Sequence, residues 1–145
     1  MRRIFLDSSV LIAACGSMNG ASHTVIVMAE IGLFKVLISK QVLEECERNI
    51  SKKMIAALPI FRQILMIINL EITPDPLPQD IDKYKLIIEP KDAPILASAI
   101  AANADRILSL NTKDFNETVS SQCGLMIQTP SQFIQEIRSI LAQEL

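Results

Sequence analysis

Short apolar runs alternate along this chain with longer stretches in which apolar residues return at helical spacing. Arg3 to Leu6 reads as a short strand and Val10 to Ala14 as a small, mostly apolar helix, so Asp7 falls at a strand-to-helix turn. Gly16 to Ala21 is small and polar, a loop, and Ser22 is placed to cap a helix that runs through Ile31 and ends at Gly32. Phe34 to Ile38 predicts a second strand. Ser39 is a natural cap for the next helix, where Val42, Leu43, Cys46 and Ile50 recur on one side while Glu44, Glu45, Glu47 and Arg48 fill other positions. Ile55 to Ile68 is helical in pattern with an interruption at Pro59.

Three of the seven prolines lie between Thr73 and Pro78, which predicts an extended connection. Asp80 to Ile88 reads as a short helix that Pro90 breaks, and Asp92 opens a strongly apolar one containing Ile95, Leu96, Ala99 and Ile100. Arg106 to Ser109 and Leu125 to Ile127 predict two more strands. In Ser131 to Glu144, Phe133, Ile134, Ile137, Ile140 and Leu141 form one apolar stripe. Strands alternating with helices imply a three-layer α/β/α fold with a mainly parallel sheet covered on both faces.

Composition narrows the picture. The 145 residues suit one domain, residues 1–145, and half of them are hydrophobic while only 21% are charged. Ile4, Phe5 and Leu6 are too short an apolar stretch for a signal peptide or a spanning helix, so no membrane association is expected. Cys15, Cys46 and Cys123 are odd in number and lack the paired spacing of a zinc or redox site; they read as reduced thiols of a cytoplasmic protein. A formal net charge of −2 gives no global basic field, so contact with nucleic acid must be local or metal-assisted.

In open parallel sheets the functional crevice lies beyond the carboxyl ends of the strands, and Asp7, Asp92 and Asn111 all fall there or at an adjoining helix start. Clustered carboxylates repel and raise one another's pKa unless a cation or a proton offsets them, and hard divalent ions want such oxygen ligands. Each acid also has a plain structural reading: Asp7 and Asp92 as helix caps, Glu45 as part of a solvated face. His23, the sole histidine, reads as a loop residue outside the site, and Tyr84 and the five phenylalanines read as core.

The segment FLDSSVLIAA at 5–14 resembles the opening strand and helix of PIN-domain nucleases. ISKQVLEECERNI at 38–50 is similar to the family's second segment, and KDAPILASAIAANADRILSLNTKDF at 91–115 to its third. The resemblance implies a ribonuclease of the kind represented by VapC-type toxins. Asp7, Glu45 and Asp92 would hold Mg²⁺ or Mn²⁺, with Glu44 the neighbouring alternative to Glu45, and Ser8 and Ser109 would hold carboxylates or water in place. Asn111 stands where many members carry a fourth acid, so one ligand there is uncharged; Asp114, the nearest replacement acid, reads as a loop or capping residue before Phe115. Arg48, Lys52 and Lys53 are candidates for phosphate contact. The implied partners are an RNA substrate, an antitoxin protein and a second copy of the chain, the homodimer joined through the apolar stretch Ile60 to Ile68. A catalytically weakened RNA-binding or protein-interaction module is the alternative. An aspartyl-phosphate phosphotransferase would need an acid two residues after Asp7, where this chain has Ser9.

Overall fold

The computed structural model describes residues 1–144. Five strands, β1 (Arg3–Leu6), β2 (Lys35–Ser39), β3 (Leu70–Thr73), β4 (Arg106–Leu108) and β5 (Met126–Gln128), form one sheet in the order β3-β2-β1-β4-β5. Every pairing is parallel, so each return crosses a face of the sheet and helices cover both. The helices are α1 (Ser8–Gly16), α2 (Ala21–Glu30), α3 (Lys40–Lys53), α4 (Leu58–Ile67), α5 (Pro78–Tyr84), α6 (Ala93–Ala101), α7 (Glu117–Cys123) and α8 (Pro130–Glu144). The fold is three-layered α/β/α. Ile4, Phe5 and Leu6 of β1 and Val36, Leu37 and Ile38 of β2 are wholly buried, as expected of inner strands covered on two sides. Phe34 and Phe133 meet edge to face at 5.3 Å between centroids and lock α8 onto the layer that holds α2.

Several sequence expectations shift. The helix after Asp7 is longer than its apolar stretch, starting at Ser8 and including Gly16, so the predicted loop shrinks to 17–20. Gly20, not Ser22, occupies the cap position of α2; Ser22 is the second residue of the helix and is buried. His23 is therefore helical, with its ring Nδ1 3.2 Å from the Ala14 carbonyl. The second strand begins at Lys35 and leaves Phe34 to the core. Pro59 does not interrupt a helix: a 3₁₀ turn, Ile55–Ala57, precedes it, and Pro59 sits in the first turn of α4, where its missing N–H leaves no bond unmade.

The connection predicted from Thr73 to Pro78 is bounded by structure on both sides. Thr73 ends β3, an edge strand that the sequence reading passed over, and Pro78 opens α5, which stops at Tyr84 and not at Ile88. The final strand is Met126–Gln128, one residue later than expected, and α7 was not anticipated at all. Its ends are nonetheless marked: Asn116 Oδ1 accepts from Val119 N at 3.0 Å, and Gly124 takes φ +79 beyond the last turn. No single helix among the described residues is long and apolar enough to cross a membrane; α1 and α2 pass such a test only as a pair bent by 97°.

Candidate metal and phosphate site

From β1 the chain moves outward through β2 to β3, then returns across the sheet to β4 and β5. The order therefore reverses between β1 and β4, and the crevice beyond their carboxyl ends is where such sheets bind ligands. Asp7 follows β1 at that reversal, its backbone N–H still paired with the Leu108 carbonyl at 3.0 Å. A cavity of about 420 Å³ opens there, lined by Asp7, Ser8, Ser9, Ile12, Glu45, Arg48, Asn49, Lys91, Asp92 and Asn111. Acids from α3, from the start of α1 and from the start of α6 thus face one hollow.

Asp7 is buried and occupies the cap position of α1, yet its carboxylate makes no capping bond. Its Oδ2 instead accepts from Ser9 Oγ and Ser109 Oγ, both at 2.8 Å. Each hydroxyl is itself fixed by a main-chain donor, Ser9 by Leu110 N and Ser109 by Asn111 N, both at 3.0 Å. Burial raises the Asp7 pKa, the two serines and the Ser8 backbone oppose the rise, and Glu45 adds to it. Glu45 is held at both oxygens, by Ser8 Oγ at 3.0 Å and Gln41 Nε2 at 3.1 Å. Glu44, beside it, points to solvent and takes no part in the cavity wall.

Asp92 also stands at a cap position without capping, and its Oδ2 is buried with no hydrogen-bond partner among the described residues. Its pKa is pushed up to about 7, first by burial, then by Asp114 and Asp7, with Lys91 working the other way. Asp114 lies below the usual carboxylate range because Asn111 Nδ2 donates to its Oδ2 at 3.0 Å, with support from Asp92 and Lys91. Asn111 Oδ1 accepts from Asp114 N at 3.4 Å and its carbonyl accepts from Phe115 N at 2.9 Å. It is thus Asn111 that builds the turn before Phe115, while the Asp114 side chain turns toward Asp92 and lies 4.0 Å from Lys91 Nζ.

Of the basic candidates, Arg48 lines the cavity; Lys52 and Lys53 lie in the last turn of α3, exposed and away from it. Ser9, Gln41, Asn49 and Lys91 were missed. Gln41 was accessible in principle, four residues before Glu45 on one helix; Ser9 bonds Asp7 two residues away, but its contacts with Ser109 and Leu110 depend on β1 pairing with β4. Cys46 is buried beneath the site, its Sγ donating to the Ser8 carbonyl at 3.8 Å, and Cys15 is buried beside another hollow; burial pushes both thiols up, Cys15 to about 11.

The family model described as PIN domain matches residues 3–113. The chain belongs to the PIN-domain family. Solved structures similar to this PIN domain include PAE2754 from Pyrobaculum aerophilum, with TM-score 0.62 and 13% identity over 92% of this chain and 88% of that one. VapBC2 from Rickettsia felis, bound to a DNA fragment from its promoter, gives TM-score 0.62 and 20% identity over 88% and 98%. VapC20 of Mycobacterium tuberculosis, a toxin that cleaves the sarcin-ricin loop, gives 0.54 and 15% over 83% and 95%. At these identities the likeness is one of fold. No curated protein matches the sequence.

Among the described residues no three His, Cys, Asp or Glu side chains form a ready-made cage for a metal. A hard cation of the Mg²⁺ type takes one or two carboxylates, keeps several waters and leaves room for a phosphate. The buried Asp92 Oδ2, without a partner among the described residues, and the raised carboxyls of Asp7, lifted by burial and Glu45, and of Asp92, lifted by burial, Asp114 and Asp7, are what an ion there would relieve.

Proposed function

We propose that this PIN domain is an endoribonuclease dependent on Mg²⁺ or Mn²⁺, with Asp7, Glu45 and Asp92 as the acids that hold the ion. The observation that carries the reading is the convergence of these three side chains on one cavity at the sheet reversal, with an Asp92 oxygen left without a partner. Membership of a family that is typically one of nucleases supports it. When bound, such an ion acidifies water for attack on a phosphodiester and offsets charge that develops on the phosphate.

The chain's own residues do the positioning. Ser9 and Ser109 both bond Asp7 Oδ2, which fixes the plane of its carboxylate. Ser8 and Gln41 fix that of Glu45. Held carboxylates keep the geometry that an ion needs without reorganising. Arg48 and Lys91 on the cavity wall supply positive charge where a substrate phosphate would enter, and Asn111 anchors the turn that faces them.

Total RNA incubated with the full chain should be cut in Mn²⁺, left intact in chelator, and left intact by Asp92→Asn or Asp7→Asn. Cleavage by either variant at the rate of the unmodified chain would refute the assignment. The VapBC2 and VapC20 likenesses support a toxin role, with an antitoxin as protein partner in the cytoplasm. Exposed Ile60, Met66 and Ile67 on α4 suit a homodimer, which light scattering tests against the 16.1 kDa monomer. The uncharged Asn111 on the wall beside the three acids favours a second reading, an RNA-binding or protein-interaction module; calorimetry with Mn²⁺ that shows no binding would support it.

A further inference from the structure

A second cavity, about 600 Å³, is larger than the acidic one of about 420 Å³. It lies along the free edge of β5, closed by α7 and the start of α8, and its wall includes Thr112, Phe115, Met126, Ile127, Thr129 and Gln132. The two cavities are lined by consecutive residues of one loop. Asn111 lines the acidic hollow and the very next residue, Thr112, lines this one.

We propose that this second cavity receives an unpaired base of the RNA next to the scissile phosphate, and is where the chain reads sequence; the proposal rests on the ribonuclease reading above. Three features select a base over other occupants. The size falls in the range of small-molecule sites. Among the described residues the only charged one on the wall is Glu117, an acid that would repel a phosphate but not a neutral heterocycle. The hydrogen-bonding groups still free are donors and acceptors in mixed order, as a base edge requires.

Those free groups can be identified. Asn116 and Gln128 are occupied at both ends of their amides, and Ser120 bonds the Leu125 carbonyl. Among the described residues Thr112 Oγ1 and Gln132 Nε2 have no partner. The main chain of Ile127 adds a matched pair. Gln128 O accepts from Ser109 N, so Gln128 and Met126 turn their peptide groups toward β4, and by the alternation of a parallel ladder Ile127 turns its N–H and C=O outward. β5 is the sheet edge, so no strand takes them. A donor and an acceptor from one residue suit the edge of a base. They suit a peptide strand less well, because three residues between Gly124 and Pro130 offer only one such outward pair. Met126, 46% exposed, gives an apolar surface for the ring face.

The test does not depend on catalysis. Amide spectra of the full chain, titrated with each of the four nucleoside 5′-monophosphates, should shift Ile127, Thr112 and the Gln132 side-chain NH₂, and one base should bind at least several-fold tighter than the weakest. Gln132→Ala should reduce that preference about tenfold, the worth of a hydrogen bond left unmade. Ile127→Pro removes the outward N–H at an edge where proline is tolerated and should do the same; if that variant does not fold, Gln132→Ala and Thr112→Val decide. In mapped RNA cleavage the same variants should relax base choice beside the cut. Shifts confined to Arg48 and Lys91, equal response to all four bases, or an edge that responds only to added peptide would overturn the proposal. Base-dependent shifts here without cleavage would instead sink the ribonuclease reading and leave the base site standing.

Discussion

Asp92→Asn should make the metal-free protein more stable at neutral pH although it removes a residue proposed for catalysis. The Asp92 carboxyl is held at about 7 against 3.8 for the free side chain, so the folded chain keeps a proton that the unfolded chain has lost. Below about pH 4 both states are protonated and the group is neutral in its effect. As pH rises from there to about 7, folding is progressively opposed, and above 7 the penalty is complete. A difference of about 3 units at 1.36 kcal/mol each puts the upper bound near 4 kcal/mol. Asp114, held low by its bond from Asn111, titrates jointly with Asp92 and takes part of that, which leaves an expected gain of about 2–4 kcal/mol.

For a chain of this size, about 1 kcal/mol moves the melting temperature by roughly 3 °C, so Asp92→Asn should melt about 6–12 °C higher at pH 8 in chelator. The gain should vanish near pH 4. Scanning calorimetry at pH 4, 6 and 8 measures it directly. Mn²⁺ at a hundred times its Kd should then add about 2.7 kcal/mol to the unmodified chain and little to the variant, so that the two curves converge. A variant less stable than its parent at pH 8, or equally improved at pH 4 and 8, would show that burial and like charge are not what lifts Asp92.

Ser109→Ala removes one of two hydroxyls that stabilise the charged form of Asp7, so its pKa should rise further and Mn²⁺ affinity should fall about 10- to 100-fold by calorimetry. Phe133→Ala empties a fully buried site beside Phe34 and should cost about 3–5 kcal/mol in urea unfolding, with the m-value unchanged. Asn111→Asp puts a carboxylate against Asp114 in place of an amide donor; the metal-free chain should lose about 1 kcal/mol above pH 5, and Mn²⁺ should restore it, both read from melting curves.

Where the local pattern and the three-dimensional demand coincided, the sequence was readable. β1 and β2 are apolar runs because both their faces are covered, and Ser39 does cap α3, accepting from Val42 N at 3.2 Å. β3 was hidden because Leu-Glu-Ile-Thr carries its identity in pairing: Glu71 sits at the edge as the partner of Arg3, to which it is joined at 2.8 Å across 68 positions. α7 was hidden because seven mostly polar residues show no stripe, and only its two ends carry a signal. Within the site, the acids were visible as residue types at strand and helix starts. Ser9 and Lys91 were not, because much of what they do is decided by which segment the sheet brings opposite them, and Gln41 was marked only by its place four residues before Glu45.

Asn111 reads differently once its partners are known. As a lone substitution for an acid it subtracts a charge from the site. In the fold its amide spends both ends on Asp114, donating to the carboxylate and accepting from the backbone, and so keeps Asp114 ionised three residues further on. That ionised group is the largest charged influence on Asp92. An acid at position 111 would face Asp114 with like charge and no donor, and one of the two would take up a proton. The chain therefore carries its extra negative charge on Asp114 because Asn111 is uncharged, and the loss at one position is the condition for the charge at the other.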